Sequence, residues 1–244
     1  MDTTIIDNLK GSMVSVSGGT FMMGDLLNMY SPMIPIRCPK ILKVKVSLNA
    51  FHICNHTVTQ EEWATVMNGT VNSGSAKLPV VGKSWHQVQD FIGELKKITK
   101  IEFRLPTEAE WEFAARGGQH SDNSIYYAGS NVLDSVGWYK HDSGRTLHPV
   151  CQKAPNRLGL FDMSGNVWEW CQDIYQRKYT LGKKKGLFSS ERLPVANPRG
   201  ANVGDCRVIR GGSFRSNEKE CWVFYRNKML STDFRKDVGF RLAY

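Results

Sequence analysis

The residues Gly159 to Trp170, GLFDMSGNVWEW, constrain this chain more than any others. Two carboxylates, Asp162 and Glu169, stand on either side of a Ser164-Gly165-Asn166 turn, with Phe161, Trp168 and Trp170 around them. A turn that cannot pair its own carbonyls, set between two acids, suits a hard cation. Ca²⁺ takes carboxylate and main-chain oxygens at about 2.3–2.6 Å. The spacing is not that of an EF-hand loop. The other reading is a tight turn with Asp162 in a local Asx hydrogen bond and the tryptophans in the core.

The rest of the chain fits one folded α+β domain with long loops. The 22 glycines, spread over 244 residues, imply many turns. No apolar run reaches the roughly 18 residues of a membrane helix. The N-terminus has neither a basic n-region nor a long apolar h-region, so the chain as written reads as cytoplasmic; removal of an export signal would leave a secreted or surface-anchored protein looking the same. The sequence predicts an N-terminal extension over residues 1–12 and one domain over 13–244. Met13 to Met23 reads as strand, turn and strand at Gly18-Gly19, and Leu42, Val44, Val46 and Leu48 share one strand face. Helices are predicted over 59–68, 84–97 and 107–116. The last has a capping box, Thr107 with Glu110, and is closed by Gly117-Gly118. No convincing helix follows Gly118. Lys178 to Pro198 reads as an exposed excursion.

The formal net charge of +9 is uneven. Residues 1–174 hold 16 Lys+Arg against 17 Asp+Glu, whereas residues 175–244 hold 16 against 6. A one-signed face steers anionic partners. The basic residues are scattered and carry no nucleic-acid motif, so an acidic protein is the expected partner, and nucleic acid is not. Lys183-Lys184-Lys185 reads as a solvated loop. The cysteines, Cys38, Cys54, Cys151, Cys171, Cys206 and Cys221, include no C-x-x-C pair, and the histidines form no metal motif.

Five segments in order carry a family resemblance: Ser17 to Gly24 (SGGTFMMG), Thr57-Val58-Thr59-Gln60, Phe103 to Gly118 (FRLPTEAEWEFAARGG), Gly159 to Trp170, and Arg207 to Leu242, which opens RVIRGGSF and closes GFRL. Together they resemble the formylglycine-generating enzyme (sulfatase-modifying factor) family. The resemblance implies a loop-rich α+β variant of the C-type lectin fold. It implies a structural Ca²⁺ held by the side chains of Asp162 and Glu169 and the carbonyls of Met163, Gly165 and Val167. It matches only part of a second Ca²⁺ site, at Asn131 and Val132; Asp142 to Gly144 departs from that pattern.

The active members of this family oxidise a sulfatase cysteine to formylglycine with O₂ and Cu(I). They hold the copper on two cysteines five apart, after a GGS motif. Here the second position is Cys221 and the first is Ser216, a hard oxygen where Cu(I) prefers a thiolate. Copper is therefore not the expected cofactor, Ser216 and Cys221 are vestigial candidates, and formylglycine formation is the alternative function. A lone Cys221 nucleophile would have Lys219 and Arg226 near it in sequence, opposed by Glu218 and Glu220. Sulfoxide-forming relatives take iron ligands from an additional helical domain, so that activity is not the expected one for this sequence as written.

The competing class is a binding module. Between Ser213 and Gly239 the chain mixes aromatic and basic residues of the kind that dominate binding hot spots. Arg215, Asn217, Lys219, Trp222, Phe224, Asn227 and Lys228 are the expected ligand-binding residues, presented by a monomer. The layout is similar to the variable proteins of diversity-generating retroelements. Adenine-directed mutagenesis of Asn-type codons does not yield Lys, Glu, Trp or Met, so Glu218, Trp222, Lys228 and Met229 cannot all be diversified positions.

Overall fold

A computed structural model describes residues 3–24, 43–121, 124–179, 182–185 and 192–244. Leu42 and Cys38 lie outside these. Helix α1 (Thr3–Gly11) leads into strands β1 (Met13–Val16), β2 (Gly19–Met23), β3 (Val44–Leu48) and β4 (Phe51–Cys54). Helices α2 (Gln60–Val66), α3 (Trp85–Thr99), α4 (Glu108–Ala115) and the short α5 (Leu133–Val136) follow. Strands β5 (Trp168–Ile174), β6 (Val195–Ala196), β7 (Cys206–Arg210), β8 (Asn227–Leu230) and β9 (Val238–Gly239) complete the chain.

The three long helical predictions hold, and their starts have a common cause. Thr59, Ser84 and Thr107 each accept a hydrogen bond from the backbone three residues on, and Glu62, Gln87 and Glu110 reach back to the cap. Each box satisfies two donors that the first helical turn leaves free. In α3, Trp85, Val88, Phe91, Ile92 and Leu95 are all buried, and the helix stops where Lys100 turns left-handed at φ 61°. Two departures stand out. Helix α5 lies beyond Gly118, in a span of four residues too short to show a period. The first residues form α1, whose Ile6 and Leu9 enter the core beside Val58, Val66 and Phe91.

The strands form three small sheets. β1 pairs antiparallel with β4; β2 and β6 flank β3; and the largest has the order β8-β7-β5-β9. The predicted strand–turn–strand at Gly18-Gly19 is present, but its two strands join different sheets. Val44, Val46 and Leu48 share a buried face, as their alternation requires. The chain end returns to the start: Cys54 N–H donates to Leu242 O at 2.8 Å and His52 N–H to Tyr244 O at 2.9 Å. Strand β5 separates two cores. Trp168 and Trp170 point into the core of α1, α2 and α3, whereas Cys171 points into that of α4 and β2–β3.

Three of the sixteen basic residues of the C-terminal segment lie inside the molecule. Arg210, Arg226 and Arg241 are buried against Glu112, Glu108 and Glu169. Arg226 holds both Glu108 oxygens, at 2.5 and 2.6 Å, and its guanidinium lies 4.2 Å from the Tyr179 ring. Burial alone would raise the pKa of Glu108, but Arg226 and Arg210 outweigh it and keep the carboxyl below its ordinary range. The basic surplus read from the sequence is thus only partly a surface property. Lys183, Lys184 and Lys185 are exposed, as expected of a solvated loop.

Candidate functional site

The Asp162–Glu169 loop is fully buried and built on close backbone contacts. Asp162 and Asn166 both have φ 57°, and Gly165 has φ 96°. Gly165 N–H donates to Gly211 O and Asn166 N–H to Trp138 O, at 2.8 and 2.7 Å, so the loop is clamped between the GGS turn and the second residue after α5. Asp162 Oδ2 accepts the Cys151 N–H at 2.9 Å, while its Oδ1 is buried with no hydrogen-bond partner among the described residues. Burial pushes its carboxyl up to about 6, with the Cys151 N–H and Arg241 acting against that. An orphaned carboxylate oxygen inside a protein is costly and suits a cation.

Glu169 is placed differently. Both its oxygens accept hydrogen bonds from Arg241, each at 2.6 Å, and Trp111 Nε1 donates to Oε2 at 2.7 Å. Glu169 thus already has a buried guanidinium as its counter-charge. At the loops compared with a second calcium site, Asn131 is tied into its own turn: its Oδ1 accepts the Tyr126 N–H at 2.8 Å. A cation already stands nearby, the Lys153 ammonium. It donates to Asp134 O at 2.6 Å and Asp142 Oδ2 at 2.7 Å, 3.9 Å from the Trp138 ring.

Ser216 and Cys221 sit near the clamped loop. Cys221 is fully buried, and its carbonyl accepts the Ser164 hydroxyl at 2.9 Å. Gly212 lies directly over its sulfur, so that a Cβ there would come to 2.6 Å from Sγ. Burial drives the Cys221 thiol far above its ordinary range, and Glu220 and Asp142 add to the shift. Ser216 is buried with its hydroxyl 3.4 Å from that of Ser213. Cys206 opens β7 opposite Leu230, at the far end of that strand from the turn over Cys221.

The seven expected ligand residues fall into three groups. Arg215, Asn217 and Lys219 are exposed on the stretch that follows the GGS turn, next to the 139–143 loop through Lys140 N–H to Ser216 O at 3.1 Å. Asn227, partly exposed, and Lys228, exposed, lie on edge strand β8, with the Lys228 ammonium 5.2 Å from the Tyr175 ring. Trp222 and Phe224 are not surface residues: only 6% and 0% of each is exposed. The 218–221 turn sends the chain beneath the 126–128 loop, where Val223 N–H donates to Tyr126 O at 2.8 Å and the two rings pack 5.3 Å apart. The exposed aromatic of the segment is Phe234, at 67%. It lies among charged residues in a loop, without the alternation that separates core from surface in a strand.

Comparison with known proteins fits this geometry. The family described as "Sulfatase-modifying factor enzyme 1-like domain" matches residues 6–244. The chain belongs to that family. It is 32% identical over 188 residues to the formylglycine-generating enzyme of Streptomyces coelicolor, covering 70% of this chain and 54% of that one. It is 33% identical over 173 residues to the serine/threonine-protein kinase Pkn1 of Chlamydia trachomatis, 71% of this chain but 25% of the kinase. The chain therefore spans about half of the one and a quarter of the other. Among solved structures, Treponema denticola variable protein 1 superposes with a TM-score of 0.75 at 28% identity, covering 95% of this chain and 94% of that one. The fold is the loop-rich formylglycine-generating-enzyme variant of the C-type lectin fold. Among the described residues no helix is long and apolar enough to cross a membrane.

Proposed function

We propose that this protein is a non-catalytic, ligand-binding member of the family. It uses the scaffold that formylglycine-generating enzymes share but presents exposed C-terminal residues to a partner. The observation that carries this reading is the state of the second copper position: a buried thiol under Gly212, held protonated, with Ser216 where the first thiolate would be. A Cu(I) site needs two soft, accessible sulfurs. The likeness to a variable protein over nearly the whole chain supports a binding role, as does the exposure of Arg215, Asn217, Lys219, Lys228 and Phe234. The ligand proposed is a protein with an acidic contact surface.

Incubation of the protein with a cysteine-bearing sulfatase peptide, Cu(I) and O₂ is expected to leave the peptide mass unchanged. A mass loss matching cysteine-to-aldehyde conversion would overturn the reading and establish the maturase alternative.

A structural Ca²⁺ at the buried loop forms part of the same reading, held by Asp162 and the carbonyls of Met163, Gly165 and Val167, with Glu169 shared with Arg241. Binding at a hundredfold excess over Kd stabilises by about 2.7 kcal/mol. Each kcal/mol moves the melting temperature of a domain this size by about 2–4 °C. Chelation is thus expected to lower melting by several degrees, and Asp162→Ala to remove that response. Melting that is indifferent to chelator in both proteins would refute the ion.

A further inference from the structure

The stretch after the GGS turn does not stand alone. The 139–146 loop is fastened along it by two hydrogen bonds. Lys140 N–H donates to Ser216 O at 3.1 Å, and the buried Ser143 hydroxyl donates to Phe214 O at 2.8 Å. Lys140 and Arg145 on the loop, and Arg215 and Lys219 on the stretch beside it, are all exposed. None of these four cations is in an ion pair among the described residues. The nearby acids are mostly committed elsewhere. Asp142 Oδ2 is held by Lys153, and its Oδ1 accepts the Tyr139 N–H at 3.0 Å. Glu220 Oε2 accepts the Asn217 N–H at 2.8 Å. Of these acids and Glu218, Glu218 alone is exposed. Arg145 has φ 59°, directly after Gly144 at the same angle, and its N–H donates to Ser143 Oγ at 3.0 Å. A left-handed arginine is strained where glycine is not, and such strain gathers at functional sites.

We infer that the 139–146 loop forms the second half of the ligand site, and that the two halves together take an acidic peptide segment of the partner. The inference rests on the binding role proposed above and extends it to residues outside the C-terminal segment. Arginine grips a carboxylate with two parallel N–H bonds, and lysine answers one as a point charge. Cations divided between two adjoining segments suit a ligand that carries several carboxylates rather than one. Glu218, exposed on the same face, repels a uniformly charged polyphosphate, whereas a peptide can set a neutral or basic residue opposite it. Phe214, Trp222 and Phe224 are buried and cannot stack with nucleic-acid bases. Charge complementarity thus favours the peptide. The two bonds to Ser216 O and Phe214 O fix the halves against each other, so little ordering is left for the ligand to pay.

The test is fluorescence anisotropy of the full chain with a labelled decapeptide of alternating glutamate and serine, beside its glutamine counterpart and a decathymidine strand. The glutamate peptide is expected to bind, the glutamine peptide not to bind, and the thymidine strand to bind more weakly. Lys140→Gln and Arg145→Gly should each weaken peptide binding about threefold and together about tenfold, the range of exposed ion pairs. Lys45→Gln, at an exposed position of β3, should leave it unchanged. Arg145→Gly also relieves the left-handed strain, so its melting temperature should stay level or rise, which separates a lost contact from lost structure. Arg215→Gln with Lys219→Gln reads the C-terminal half by itself. If that pair weakens binding and the two loop variants do not, the loop is no part of the site, and this inference falls while the binding role stands. If the glutamate peptide binds no better than its glutamine counterpart, the acidic ligand of the earlier reading falls with it. Tighter binding of the thymidine strand overturns the assignment to a peptide.

Discussion

Arg241→Met is expected to cost about 3–5 kcal/mol, close to the whole stability of a marginal domain, because it takes the guanidinium partner from a carboxylate buried in the core. Arg241 and Glu169 are both fully buried. The guanidinium also donates to Cys54 O at 3.0 Å and Phe161 O at 2.9 Å, so the one side chain ties the C-terminal segment to β4 and to the start of the acidic loop. Methionine fills much of the volume but removes every one of these donors. Glu169→Gln alone is expected to be costly for the opposite reason, leaving a buried cation, although the new amide oxygen still accepts from Trp111 Nε1. The double variant leaves neither charge of this pair buried without the other and should recover a large part of the loss. Chemical denaturation of the four proteins closes the cycle, and a positive coupling is the expected result. Strict additivity of the two single losses would mean that the pair does not hold the fold.

Gly137→Ala is expected to be as damaging, with no charge involved. Gly137 has φ −152°, extended backbone that any residue adopts. Its constraint is space alone: a Cβ at this position would overlap the Ser164 carbonyl. The obstacle is main chain, so no side-chain rotation relieves it. The two backbones touch because the end of α5 forms one wall of the acidic loop, and Gly165 faces Trp138 in the same way. Alanine at 137 should force the wall off the loop, lowering the denaturation midpoint severely and removing any response of melting to calcium. Gly93→Ala serves as the comparison: nothing lies within 4 Å of its added Cβ, it sits inside α3, and alanine is the better helix former. It should leave stability unchanged or slightly raised. A Gly137→Ala protein that melts like the parent would show that the two walls are not in contact.

Where the information was local, it could be read directly. Thr59, Ser84 and Thr107 announce their helices because each cap and its partner lie three residues apart. The apolar spacing of α3 and the alternation of Val44, Val46 and Leu48 depend on one element and one face. Helix α5 escaped because a single turn has no period. Trp222 and Phe224 were misplaced because aromatic residues among basic ones describe a hot spot and a core equally well. The contact that buries them runs to Tyr126, nearly a hundred residues away, and nothing near them in sequence records it.

What the amino-acid sequence determined by itself was the family, the class of fold and the starts of the longer helices. Each is a property of neighbouring residues or of a motif carried intact. Tertiary structure alone decided that Arg210, Arg226 and Arg241 answer acids on α4 and β5 rather than a partner. It decided too that Asp162 keeps a buried oxygen unpaired and that Cys221 is sealed beneath Gly212. Ion pairing here joins groups 118 positions apart, and a charge or a thiol takes its chemical character from whatever is folded against it.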